Sequence, residues 1–254
     1  MSDWQEPPEA DLEPQPEPGR VVPPRDPFFP PPWGGLLTGL GLALTVFLLL
    51  VSAVVLAVFA QATTLSLESV GFRYVALVLS QLVLVVVPLG FALRLSGRLE
   101  TLGVRRFRGA ALLEGVLLGG GLVLATGAYG LLLSWISPEA YGEMMAEQQL
   151  QMELLQAPLP LLVLAALVLA PLTEEVFFRA FLFGGLRSSL NFAVASGISA
   201  AIFAGIHMMP LSTPALFLVG LATAASYERH RSLAAPLAVH IAFNGISLLA
   251  ELVT

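Results

Sequence analysis

The stretch PLTEEVFFRAFLF, from Pro171 to Phe183, sets two adjacent glutamates and an arginine in an otherwise apolar run. On a helix Glu175 and Arg179 stand four apart and share a face, the spacing of an ion pair. Glu174 is turned by about 100° from Glu175 and points into different space. One carboxylate is thereby neutralised, and the other is left to handle a proton. Two later stretches add partners. In FAGIH, Phe203 and His207 lie one helical turn apart, and in HIAFN, His240 and Asn244 do the same. Imidazole and carboxamide both donate hydrogen bonds, so His240 and Asn244 can aim at one point. Taken singly, a buried Glu–Arg pair or a lone histidine on a backbone carbonyl is a structural feature. Glutamate, histidine, and histidine with asparagine on three separate segments form a candidate site.

The elements that carry these groups are membrane spans. Of 254 residues, 56% are hydrophobic and 12% charged, against roughly a quarter charged in soluble domains. Cysteine is absent, which excludes disulfides, thiolate catalysis and cysteine-held metal. A crossing helix needs about 20 apolar residues. The expectation is an all-α polytopic membrane protein of about seven transmembrane helices around an intramembrane polar cavity. The spans read Gly34–Ala60, Tyr74–Leu95, Ala110–Ile136, Leu159–Leu186, Asn191–Met209, Thr213–Tyr227 and Leu233–Val253. Trp33 and Trp135 fall at span ends, where indoles favour the interface.

Four regions result: a tail over 1–33, three generic spans over 34–136, an interfacial amphipathic segment over 137–158, and a core over 159–254. Up to Pro32 the tail holds eleven of the nineteen prolines, seven acidic residues and two arginines. Such a composition cannot offset its ordering entropy, so disorder is expected. The segment over 137–158 carries Glu139, Glu143, Glu147 and Glu153 and no cation. Arginines gather instead after the second, fourth and sixth spans, at Arg94, Arg98, Arg105, Arg106, Arg108, Arg187, Arg229 and Arg231. The positive-inside rule then places the N-terminus in the cytoplasm and the Glu-rich segment on the outer face. Few, dispersed arginines give no nucleic-acid surface.

Ionisable residues inside hydrocarbon are expensive and mark function. Beyond those above, Glu114 sits one turn into the third span and reads as an end-of-helix carboxylate. His230 lies in a basic loop and reads as an ordinary solvated residue. Counted from the cytoplasmic end, Glu174, His207 and His240 lie at depths of roughly 18, 24 and 10 Å. That spread points to tilted or broken helices.

The three clusters, EEVFFR, FAGIH and HIAFN, resemble the signature of the CPBP family of intramembrane proteases, also called Abi or CAAX-protease-like, over roughly 159–249. Ala180 stands where family members often have glycine. The resemblance implies peptide-bond hydrolysis in a membrane cavity. It makes Glu174 the base that activates water, with His207 assisting. It makes His240 and Asn244 the oxyanion donors, with Glu175, Arg179 and Phe203 supporting. It also implies a membrane-associated peptide or protein substrate. The compact chain with its positive-inside loops points to a bacterial cytoplasmic membrane. No cofactor is required on this reading. A variant has Glu174, His207 and His240 hold zinc. Two alternatives stand beside it. One is a non-catalytic immunity or partner-binding protein of the same fold. The other is a proton-coupled transporter, which the lack of an internal repeat disfavours.

Overall fold

The computed structural model describes residues 29–63, 66–105, 109–155 and 158–253, with no account of the side chains at 151–155. Most of the proline-rich tail lies outside the described residues. Every described element is helical. We number the main helices α1 Gly35–Thr63, α2 Val70–Phe91, α3 Gly109–Ile136, α4 Pro138–Leu155, α5 Leu159–Arg187, α6 Phe192–Gly205, α7 Thr213–His230 and α8 Ala234–Val253.

Helices α1, α2, α3, α5 and α8 are long and apolar enough to cross a bilayer. The two spans expected between α5 and α8 are shorter. Helix α6 has 14 residues and α7 has 18, giving lengths of about 21 and 27 Å against a hydrocarbon core of about 30 Å. Helix α6 also stops at Gly205, so His207 sits in the turn beyond it rather than inside a span. The Glu-rich segment forms the helix α4. Ser137 caps α4, accepting from the Ala140 amide at 3.3 Å, and Pro138 occupies a first-turn position where a missing N–H costs nothing.

Helix α1 buries little besides Thr38, Gly41, Thr45 and Ala60. Leu36, Leu40, Phe47, Leu50 and Phe59 face outward, as they must where the solvent is lipid, while Leu42 and Leu48 pack against the core. The core lies instead around α5, where every residue from Val176 to Phe183 is buried. Phe177, Phe178, Phe181 and Phe183 pack there with Phe203, Tyr227 and Trp33. Trp33 was expected at the interface, but it is wholly buried and donates its indole N–H to the Phe181 carbonyl at 3.3 Å. Trp135 is 81% exposed, in keeping with a span-end indole.

Helix α5 is wound as a π-helix over Ala165–Leu169 and again over Val176–Phe183. Pro171 lies between them; it lacks an N–H and its ring crowds the preceding turn, which favours local widening. Carbonyls on the widened stretches take bonds from neighbouring helices. Ser199 donates to Phe178 at 3.0 Å and Asn244 to Ala166 at 2.9 Å. Irregular backbone is tolerated at membrane depth where neighbours satisfy it in this way.

Two glycines set how closely α8 approaches. A Cβ on Gly119 of α3 would lie 2.7 Å from the Val239 carbonyl oxygen, and one on Gly115 would lie 3.0 Å from that of Ala235. This is the small-residue packing by which membrane helices meet backbone to backbone. It fixes the helix that carries His240 and Asn244.

Candidate active site

Glu174 and Glu175 end the regular turn of α5 between its two π-wound stretches. Arg179 follows within the second stretch, completely buried. Its Nε lies 3.0 Å from Glu175 Oε2, and its Nη2 donates to Glu175 Oε1 at 3.4 Å. The ion pair expected from their spacing is present. Arg179 Nε also donates to Thr223 Oγ1 of α7 at 2.7 Å. The guanidinium stacks over the Phe203 ring at 4.9 Å, a favourable cation–π distance. A buried charge needs such compensation from several directions.

Glu175 has a second task. Its Oε1 accepts from His240 Nδ1 at 2.7 Å. A carboxylate bond to Nδ1 fixes the tautomer and ring orientation, leaving Nε2 to face the site. His240 Nε2 lies 3.8 Å from Glu174 Oε2. That gap is too long for a hydrogen bond, but a molecule of water about 2.8 Å from each atom closes a triangle across it. Glu174 itself is buried and makes no hydrogen bond among the described residues.

Glu174, Glu175, Arg179 and His240 therefore form one contiguous cluster. His207 is joined to it through Phe203. The Phe203 ring meets His207 edge-on at 4.9 Å and His240 edge-on at 5.8 Å. His207 Nδ1 donates to the Phe203 carbonyl at 2.7 Å, so Nε2 is left as an acceptor. Asn244 does not bond His240. One of its amide hydrogens goes to Ala166, and the other remains for a ligand.

Two histidines and a carboxylate suit zinc in principle. Among the described residues, however, no three His, Asp or Glu side chains gather round a common point. As they stand, these described side chains do not form a metal-binding set.

Residues 156–246 match the sequence profile described as "Type II CAAX prenyl endopeptidase Rce1-like". That interval contains the whole cluster. Two curated bacterial proteins are similar. The "Putative membrane peptidase YdiL" of Bacillus subtilis is 28% identical over 101 residues, 40% of this chain and 41% of that protein. The "Membrane-embedded CAAX protease MroQ" of Staphylococcus aureus is 26% identical over 143 residues, 54% of this chain and 57% of that protein. The chain thus spans about half the length of the curated relatives it matches. No solved structure matches it at a significant level.

Within the matched interval, sequence reasoning missed Thr223, whose hydroxyl accepts from Arg179 Nε. It also missed the buried Gln81 of α2, which accepts from Thr173, the residue just before Glu174. Nothing in a lone threonine or glutamine among apolar residues marks such a role. Glu114 of α3 pairs with His230 Nε2 at 3.1 Å and with Arg229 at 3.4 Å. His230 is thus tied to α3 and only 18% exposed, rather than an ordinary solvated residue.

Proposed function

We propose that this chain is an intramembrane endopeptidase that hydrolyses peptide bonds of membrane-associated peptides or proteins in a bacterial cytoplasmic membrane. The observation that carries the reading is the division of labour between the two glutamates. Glu175 is paired with Arg179 and accepts from His240 Nδ1, while the buried Glu174 carboxylate faces His240 Nε2 with no hydrogen bond of its own. The Rce1-like match and the peptidase names of both relatives support the same activity.

In the proposed reaction Glu174 takes a proton from a bound water as its oxygen attacks the scissile carbonyl carbon. A buried carboxylate within hydrogen-bond reach of water is placed for general-base work. The carbonyl oxygen becomes an oxyanion. His240 Nε2 donates to it only when the ring carries both protons, because Nδ1–H is already committed to Glu175. The free Asn244 amide hydrogen is the second donor; such donors each contribute about 10²–10³ in rate. His207 Nε2 accepts from the same water. The C–N bond then breaks as Glu174 returns its proton to the leaving nitrogen. Arg179 and Phe203 hold the two working side chains in register and touch no substrate atom.

The test is a comparison of membrane peptide termini in cells expressing wild type or Glu174→Gln at equal levels. New termini that vanish in the variant support the endopeptidase and name its substrate. Matching profiles, with wild-type phenotypes retained by the variant, overturn it in favour of a partner-binding protein.

A further inference from the structure

The short connection from His207 to Ser212 has a strained centre and is held from outside. Met208 adopts φ +55°, a left-handed conformation that costs energy for any residue with a Cβ. Its side chain is 83% exposed, so burial does not secure it. Contacts from α3 and α4 hold the far end of the connection. Glu147 of α4 accepts from the Leu211 amide at 3.1 Å, the Ser212 amide at 3.2 Å and the Ser212 hydroxyl at 3.3 Å. Tyr129 of α3 donates to the Leu211 carbonyl at 2.8 Å.

A carboxylate taking three donors is a strong, directional clamp. It sits at the start of α7, where the helix dipole favours negative charge. Helix α4 is itself anchored, with Met144 buried against Gly130 of α3. Glu147 is thus rigidly connected at one end and grips the connection five residues after His207 at the other. At its near end the same connection is tied by turn bonds, His207 to Ala204 at 3.3 Å and Met208 to Gly205 at 3.2 Å, and by the His207 ring bond to the Phe203 carbonyl, while the Thr213 hydroxyl donates to the Met209 carbonyl at 2.9 Å.

We propose that Glu147 is a positioning residue for His207. By holding Leu211 and Ser212 it keeps the strained turn formed, and the turn keeps the His207 ring against Phe203. The acidic helix α4 is then a working part of the hydrolase, although it lies outside the matched interval. This rests on the endopeptidase reading above.

The experiment measures how fast Glu174-dependent termini appear in membranes carrying wild type, Glu147→Gln, His207→Ala and the double variant. Melting temperatures and amide hydrogen exchange of the same proteins are measured alongside. Glutamine keeps one acceptor but turns an NH₂ toward a donor. Glu147→Gln is expected to slow the reaction about tenfold, a fraction of the 10²–10⁴ available from a positioned acid or base. On top of His207→Ala it should cost less than about twofold, with melting unchanged and exchange at Leu211 and Ser212 faster. Tyr129→Phe should show a smaller loss of the same pattern, which guards against a Glu147 variant that fails to fold. A wild-type rate in Glu147→Gln overturns the proposal. So does a full tenfold loss on top of His207→Ala, which gives Glu147 a role independent of His207. If wild type and Glu174→Gln give the same termini, it is the endopeptidase reading that fails. The clamp is then judged by exchange alone, and unchanged protection at Leu211 and Ser212 overturns it.

Discussion

Replacing Arg179 by methionine separates the stability of the cluster from its chemistry. The guanidinium is fully buried and contacts Glu175 twice and Thr223 once. Without it Glu175 keeps a single partner, His240 Nδ1, and its other oxygen is left buried and uncompensated. Removing one member of such a pair costs about 3–5 kcal/mol. At 1.4 kcal/mol per tenfold, the folded fraction relative to unfolded falls at least about a hundredfold. Thr223 suffers little, because its hydroxyl still donates to Val219 at 2.8 Å. Replacing the pair together, as Glu175→Leu with Arg179→Met, removes the stranded charge. What remains unpaired is the His240 Nδ1–H, worth about 1–3 kcal/mol. The double variant is therefore expected to be more stable than Arg179→Met yet inactive, because His240 has lost the acceptor that orients it. Reversible unfolding in mixed detergent–SDS micelles measures the first, and release of Glu174-dependent termini the second. An Arg179→Met variant within about 1 kcal/mol of wild type refutes this reasoning. A double variant that cleaves normally refutes it as well.

Other expectations follow from the same geometry. Gly119→Leu drives a side chain into the α8 backbone and should cost about 1–3 kcal/mol in the same unfolding assay, with loss of cleavage as α8 shifts. Asn244→Ala should lower kcat by about 10²-fold while leaving KM near wild type, since a donor to the oxyanion acts only in the transition state. Chelation with EDTA should leave the cleavage rate unchanged; its abolition, with rescue by added zinc, would restore the metal variant. Single cysteines placed between Pro138 and Gln149 should react with membrane-impermeant reagents from outside the cell, as expected if the arginine-rich loops face the cytoplasm.

What the sequence made legible is what periodicity and charge alone determine. Glu175 and Arg179 at helical spacing in an apolar run have few options but to pair, and they do. Phe203 and His207 one turn apart must bring their rings together, and they do. The membrane-spanning character of α1, α2, α3, α5 and α8 follows from length and composition. The rest depends on partners distant in the chain. The widened turns of α5 involve Ser199 and Asn244 on other helices. The burial of Trp33 depends on where Phe181 lies. Glu147 reads as one more solvated acid in an acidic stretch until its three donors, 64 and 65 residues away, are seen. Helix α6 ends at Gly205 and Pro210 lies in the connection that follows, yet the apolar run around His207 reads as a span continuing past Gly205 to Met209.

The central claim is that Glu174 activates water to cut a peptide bond. It is tested most directly by running the reaction in heavy-oxygen water. Membranes carrying wild type or Glu174→Gln are incubated in labelled water, and the new carboxyl termini are weighed by mass spectrometry. The account predicts one heavy oxygen in each new terminus with the wild type, and no new termini with Glu174→Gln. Labelled termini produced equally by the variant would contradict it.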